Sequence, residues 1–160
     1  RSRARELDVS TPFMDAALTA NENQVRRAYD MVANLGVKRV GLVGLSFKSD
    51  TDDLRESPLV ELAERLHGKG YDLRIYDSNV RYSALTGANL HYVRSHIPHL
   101  SALLQENVED VVDHAEVLVF GSGDAAAKQA MSLARGKPVV DLVRLPRETE
   151  DSGLYHGICW

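Results

Sequence analysis

Between Gly44 and Pro58 the chain reads GLSFKSDTDDLRESP, a run whose residue types suit a phosphorylated ligand. Lys48 can set a point charge against a phosphate. Phe47 beside it offers a flat face to a base or a sugar. The same two residues would equally serve as a solvated surface lysine and a core aromatic. Arg55 stands just before Ser57-Pro58, a helix-start signal, and both a guanidinium and a helix N-terminus favour an anion. Asp50, Asp52 and Asp53 crowd the middle of the run. They lack EF-hand spacing and a loop glycine, so they read as capping and loop carboxylates with Arg55 as a partner. Gly41 and Gly44 are spaced like part of a G-x-G-x-x-G dinucleotide loop, but the third glycine is missing. A nucleotide here would have to be held in another way.

Other candidates are weaker. Asp77 ends the strand read over Tyr71–Tyr76, where an acid can either hold ribose hydroxyls or serve as an ordinary strand-to-loop residue. His91, His96 and His99 lack the i, i+4 spacing of a helical metal pair and read as surface or loop residues. His67 falls in the last turn of a helix, where a cation is favoured. Cys159 stands next to the terminal Trp160 with His156 nearby. A chain end is a poor place for an activated thiol, so it reads as inert.

These residues need elements to position them. Apolar positions from Phe13 to Leu35 recur mostly at helical spacing, interrupted by Asn21-Glu22-Asn23-Gln24, and Gly36 supplies a stop. The length predicts a lever or a seam between subunits. Val40–Leu45 is a nearly all-apolar strand of the kind buried on both faces. A helix over Leu59–Lys69, a strand over Tyr71–Tyr76, a mixed and partly helical stretch over 79–105 broken at Pro98, and a helix over Asn107–His114 follow. Then come a strand over Val117–Phe120, a helix over Asp124–Ala134, a fourth strand over Pro138–Leu142 and a polar, then aromatic, tail. Alternation of strand and helix predicts an α/β domain with a parallel sheet covered on both faces. Ligands of such sheets bind at the carboxyl ends of the strands, which singles out the loops 46–56, 77–80, 121–124 and 142–146.

Composition narrows the function classes. The 160 residues are 44% hydrophobic and 26% charged, enough for one domain with a real core. A formal net charge of -4 argues against a nucleic-acid partner. No apolar run approaches the ~18 residues of a membrane span. A single cysteine and the absence of an apolar leader lead us to expect a cytoplasmic protein. The chain begins with Arg1, and the expectation is a piece of something longer.

The run Gly44–Pro58 closely resembles the signature of the C-terminal domain of nucleotide-sugar dehydrogenases, roughly G-x-x-F-K-x-x-T-x-D-x-R-x-S-P, with every anchor present. NENQVRRAYDMV, residues 21–32, is similar to the end of that family's central helix. Gly157-Ile158-Cys159-Trp160 resembles the ending of the branch that acts on GDP-mannose. These enzymes oxidise the primary alcohol of a nucleotide-bound sugar to a carboxylate with NAD.

The resemblance implies a Rossmann-like three-layer domain with a mainly parallel sheet over residues 37–160. It implies that residues 1–36 are the end of a dimerisation helix segment. By the same resemblance Phe47 and Lys48 contact the sugar nucleotide, GDP-mannose or a relative. Arg55 reaches the NAD, which is bound mainly by an N-terminal domain. The family's nucleophilic cysteine lies in a G-x-C-x-x-K-D stretch that does not occur here. The expectation is therefore no catalytic residue, no metal site and no dehydrogenase activity in this stretch alone. Many relatives place an arginine two residues after the aspartate that ends the last strand. Here Asp141 is followed by Leu142 and Val143, and the arginine comes at Arg144. A UDP-sugar dehydrogenase domain and a non-catalytic binding or scaffold module are the alternatives.

Overall fold

The computed structural model describes residues 12–46, 54–55, 57–80, 87–146 and 154–158. Helix α1 (Pro12–Asn34) leads into strand β1 (Arg39–Val43), helix α2 (Pro58–Gly68) and strand β2 (Asp72–Tyr76). Helices α3 (Gly87–His96), α4 (Leu100–Leu103) and α5 (Val108–His114) precede strand β3 (Val117–Phe120). Helix α6 (Ala125–Leu133), strand β4 (Val139–Asp141) and strand β5 (Tyr155–Gly157) complete the chain. The sheet order is β2-β1-β3-β4-β5, and every pairing is parallel.

The central strands explain their own composition. Helices cover both faces, so β3 (Val-Leu-Val-Phe) is buried at every position. The pleat divides its side chains by twos. Val117 and Val119 join a core with Val32 of α1 and Leu62 and Leu66 of α2. Leu118 and Phe120 join a second core with Val111 of α5 and Ala127 and Ala130 of α6. Each fully buried valine, leucine or phenylalanine among them contributes about 1.5–3 kcal/mol.

Helix α1 runs 23 residues, roughly 35 Å at ~1.5 Å per residue. It buries Val25, Ala28 and Val32, spaced three and four apart, against the domain. From Thr19 to Gln24 it is exposed. The polar interruption read in the sequence is therefore where the helix leaves the core.

The tail holds a correction. Strand β5 was not predicted, yet it pairs with β4 through Val139↔Tyr155, Val140↔His156 and Asp141↔Gly157. Only three residues long and containing Gly157, it carries no alternation to read. Its pairing comes from neighbours distant in sequence. His99 is a second difference. It is not a plain surface residue but bonds Glu64 at 2.6 Å and stacks on His67 with ring centroids 4.3 Å apart.

The amino edge of the sheet carries an acid-sensitive fastening. The N–H groups of Arg39 and Lys38 donate to Glu116 Oε2 at 2.9 and 3.0 Å, and the Arg39 guanidinium lies 3.3 Å from Oε1. Those N–H groups, Arg39's first, hold the Glu116 carboxyl below the usual carboxylate range. A lowered folded-state pKa gives stability that is present above the unfolded value and lost as pH falls through the folded one. Glu116→Gln is therefore expected to flatten the acid limb of stability. Urea midpoints measured from about pH 6 down to about pH 3 should converge for the two proteins at the acid end.

Candidate functional site

The chain leaves β1 for β2 on one side, then passes back to β3 on the other. The strand order therefore reverses between β1 and β3, where ligands of open parallel sheets bind. Three loops meet at that edge. The loop after β1 begins at Gly44, whose N–H bonds Tyr76 O at 2.8 Å. Gly44 has φ +92°, and a Cβ there would lie 2.6 Å from both Cβ and N of Ser122. A Cβ on Gly121 would meet Leu59 Cδ1 at 2.5 Å and Gly44 O at 2.7 Å. These glycines let the β1 and β3 loops and the first turn of α2 pack on one another.

Two buried polar side chains organise the edge. Asp77, at the end of β2, is 6% exposed. One oxygen accepts from Leu45 N (2.7 Å) and Ser46 N (2.9 Å), the other from Asn79 N (2.8 Å) and Val80 N (3.2 Å). Four backbone donors occupy the carboxylate, so the geometry supports the strand-to-loop reading and not the ribose-holding one. Ser57 caps α2 by accepting from Leu59 N at 3.2 Å, and its hydroxyl donates to Leu45 O at 2.8 Å.

The helix ends offer less to an anion than the sequence implied. Pro58 has no N–H and Leu59 gives its own to Ser57, so the α2 terminus is largely spent. The attraction assigned to both Arg55 and the helix end rests on Arg55 alone. Arg55 is exposed, on the turn between buried Leu54 and Ser57. After β3 the chain reads Gly121-Ser122-Gly123-Asp124-Ala125-Ala126, a dinucleotide-like spacing at a strand-to-helix turn. There Asp124 caps α6 through Ala127 N (2.9 Å) and accepts from Ser78 Oγ (2.6 Å). A carboxylate thus holds the place a phosphate would take, and the Ser78 bridge ties the β2 loop to the β3 loop.

The open side of the edge faces α1. A cavity of about 340 Å³ lies there, at the lower end of the ~300–1,000 Å³ typical of small-molecule sites. Asn21 and Gln24 of α1 form its polar wall, Leu59 and Leu142 its apolar walls, and Ser46 and Ser57 its floor. Ile158 from the tail closes one side. Sequence reading found the loops of this site and missed two of its walls. The exposed polar stretch of α1 and the residue after β5 gave the only signals.

Asp141, fully buried at the end of β4, accepts from Val143 N (2.8 Å), Leu145 N (2.7 Å) and the Tyr155 hydroxyl. The turn it folds puts exposed Arg144 at φ +59°. Phe47, Lys48 and the three loop aspartates lie outside the described residues, as does Cys159. Among the described residues no group of three His, Cys, Asp or Glu side chains could hold a metal ion. No described helix is long and apolar enough to cross a membrane.

Residues 41–146 match the model of the UDP-glucose/GDP-mannose dehydrogenase family, UDP binding domain. The GDP-mannose 6-dehydrogenase of Pseudomonas putida is 48% identical over 160 residues, covering 99% of this chain and 36% of that enzyme. Among solved structures, a ternary complex of GDP-mannose dehydrogenase from Pseudomonas aeruginosa superposes with a TM-score of 0.83 at 48% identity, over 99% of this chain and 36% of the other. A UDP-glucose dehydrogenase from Pyrobaculum islandicum gives 0.70 at 27% identity, over 99% and 35%. The chain thus spans about a third of the length of the relatives it matches.

Proposed function

We propose that this chain, which belongs to the UDP-glucose/GDP-mannose dehydrogenase family, is the sugar-nucleotide-binding part of an NAD-dependent GDP-mannose 6-dehydrogenase. One observation carries the choice of branch: identity of 48% to a GDP-mannose enzyme over 99% of the chain, against 27% for the UDP-glucose enzyme. The ligand is GDP-mannose. Lys48 neutralises its diphosphate and Phe47 packs on its nucleoside, both on the loop that leaves the cavity floor at Ser46. Residues 37–160 form the binding domain, and residues 1–36 are the end of a central helical segment. The exposed stretch Thr19–Gln24 of α1 supports a role for this helix in pairing two copies. Sedimentation is expected to give a dimer, and a monomer at high concentration would remove that role.

The cofactor has little purchase on the described residues. Ser57 spends the α2 terminus and Asp124 occupies that of α6, so neither seats a dinucleotide's pyrophosphate. Arg55 alone is assigned to NAD, whose part in the reaction is to accept hydride. The chain has no residue matched to the family's nucleophile, and on its own it is expected to form no NADH from GDP-mannose.

The assignments separate kinetically in a dehydrogenase that contains this domain. Lys48→Ala should raise KM for GDP-mannose by about 10–100-fold, the cost of one charged contact of ~1.5–3 kcal/mol. Arg55→Ala should act on NAD instead. Loss in the same parameter from both variants would contradict the division.

A further inference from the structure

We infer that the cavity beside α1 is the nucleobase site, with the carboxamide of Asn21 set against the polar edge of the guanine. The inference rests on the reading that the chain binds GDP-mannose, and it adds which part of that ligand the cavity takes. Asn21, Gln24, Val25 and Ala28 line the cavity from α1. They stand at i, i+3, i+4 and i+7, which is one face of a helix. Val25 and Ala28 are buried in the domain, whereas Asn21 and Gln24 are exposed. One face of α1 therefore changes from apolar to polar along the cavity wall.

The walls discriminate among the parts of the ligand. No charged side chain is among the described walls, so a diphosphate would find no countercharge there. A hexose carries hydroxyls all round its ring, and each one buried without a partner is costly. Leu59, Leu62, Leu142 and Ile158 have no polar group to offer them. The Ser57 hydroxyl is already engaged, donating to Leu45 O and accepting from Leu59 N. A nucleobase makes the opposite demand. Its faces suit leucine and isoleucine, and its hydrogen-bonding groups lie at its edge. A carboxamide presents an acceptor oxygen beside two donors, which match N1–H and O6 of guanine. The volume of about 340 Å³ is at the small end for a ligand site, as a base alone requires.

GMP and ribose 5-phosphate differ by the base and give the test. The 160-residue chain is titrated with each, and with GDP-mannose. Calorimetry reads Kd, and nuclear magnetic resonance reads the Asn21 side-chain NH₂ and the Ile158 methyl groups. GMP should shift both sets of signals and ribose 5-phosphate neither. Asn21→Leu sets an apolar group of similar size against the base edge. It should weaken GMP and GDP-mannose by about tenfold, the equivalent of one lost hydrogen bond. Asn23→Leu makes the same change at an exposed α1 residue off the cavity wall, and should leave both Kd values unchanged. GMP binding that leaves the Asn21 and Ile158 signals unmoved overturns the inference. So does an equal response to ribose 5-phosphate, or an equal loss of affinity in the two variants. Absence of GDP-mannose binding overturns the functional reading instead. The base site then stands if GMP still shifts Asn21, and falls with that reading if it does not.

Discussion

Gly44→Ala is expected to destabilise the chain by about 2–5 kcal/mol, among the largest effects of any single methyl group here. Two costs add. The backbone at φ +92° is one that side chains rarely adopt, worth about 1–2 kcal/mol. The new Cβ would also stand 2.6 Å from the backbone N of Ser122, which has no flexible end to move away. Crowding of that kind costs about 1–3 kcal/mol. Gly36→Ala supplies the control. Its φ is +65° and nothing lies within 4 Å of the added Cβ, so it bears the backbone cost alone. The difference between the two urea midpoints measures how tightly the β1 and β3 loops are pressed together. Equal effects would mean that the loops part readily.

Asp77→Asn is expected to cost about 3 kcal/mol although it changes no heavy-atom shape. The carboxylate accepts four backbone N–H groups, two on each oxygen. An amide keeps one acceptor oxygen and turns an NH₂ group towards the other two donors. Each buried donor left unsatisfied costs about 1–3 kcal/mol. Equilibrium unfolding checks the total. Exchange at Leu45 and Ser46 against Asn79 and Val80 tells which pair the amide oxygen keeps. A loss below about 1 kcal/mol would mean that water replaces the missing acceptor and that the strand ends are not fixed by this residue.

The aspartate also marks the limit of what a sequence says. Its type and its place at the end of a strand were plain. Whether it faced a ligand or the backbone depended on Leu45 and Ser46, more than thirty residues away in the chain. Strands β1, β3 and β4 were legible because burial on both faces leaves short apolar runs, and edge strand β2 because buried Leu73 and Ile75 alternate with Asp72, Arg74 and Tyr76. Helix α2 was legible because Ser57-Pro58 combines a cap with a residue that needs no partner for its nitrogen. Strand β5 was not, since a short pairing sustained by β4 and by the Tyr155 hydroxyl on Asp141 leaves no pattern of its own. The same is true of the cavity. Helix α1, Leu59 of α2 and Leu142 after β4 come from elements the sequence reveals, but Ile158 follows the unread strand β5, and the docking of α1 beside Leu59 and Leu142 is a tertiary fact. The binding assignment of Phe47 and Lys48 came from the fifteen-residue signature Gly44–Pro58.

The most direct test of the account is a calorimetric titration of this chain with GDP-mannose, with UDP-glucose and GMP alongside. GDP-mannose is expected to bind saturably, GMP more weakly and UDP-glucose little, and the GDP-mannose signal is expected to be lost in Lys48→Ala. Equal binding of the two sugar nucleotides, or GDP-mannose binding that survives Lys48→Ala unchanged, would contradict it.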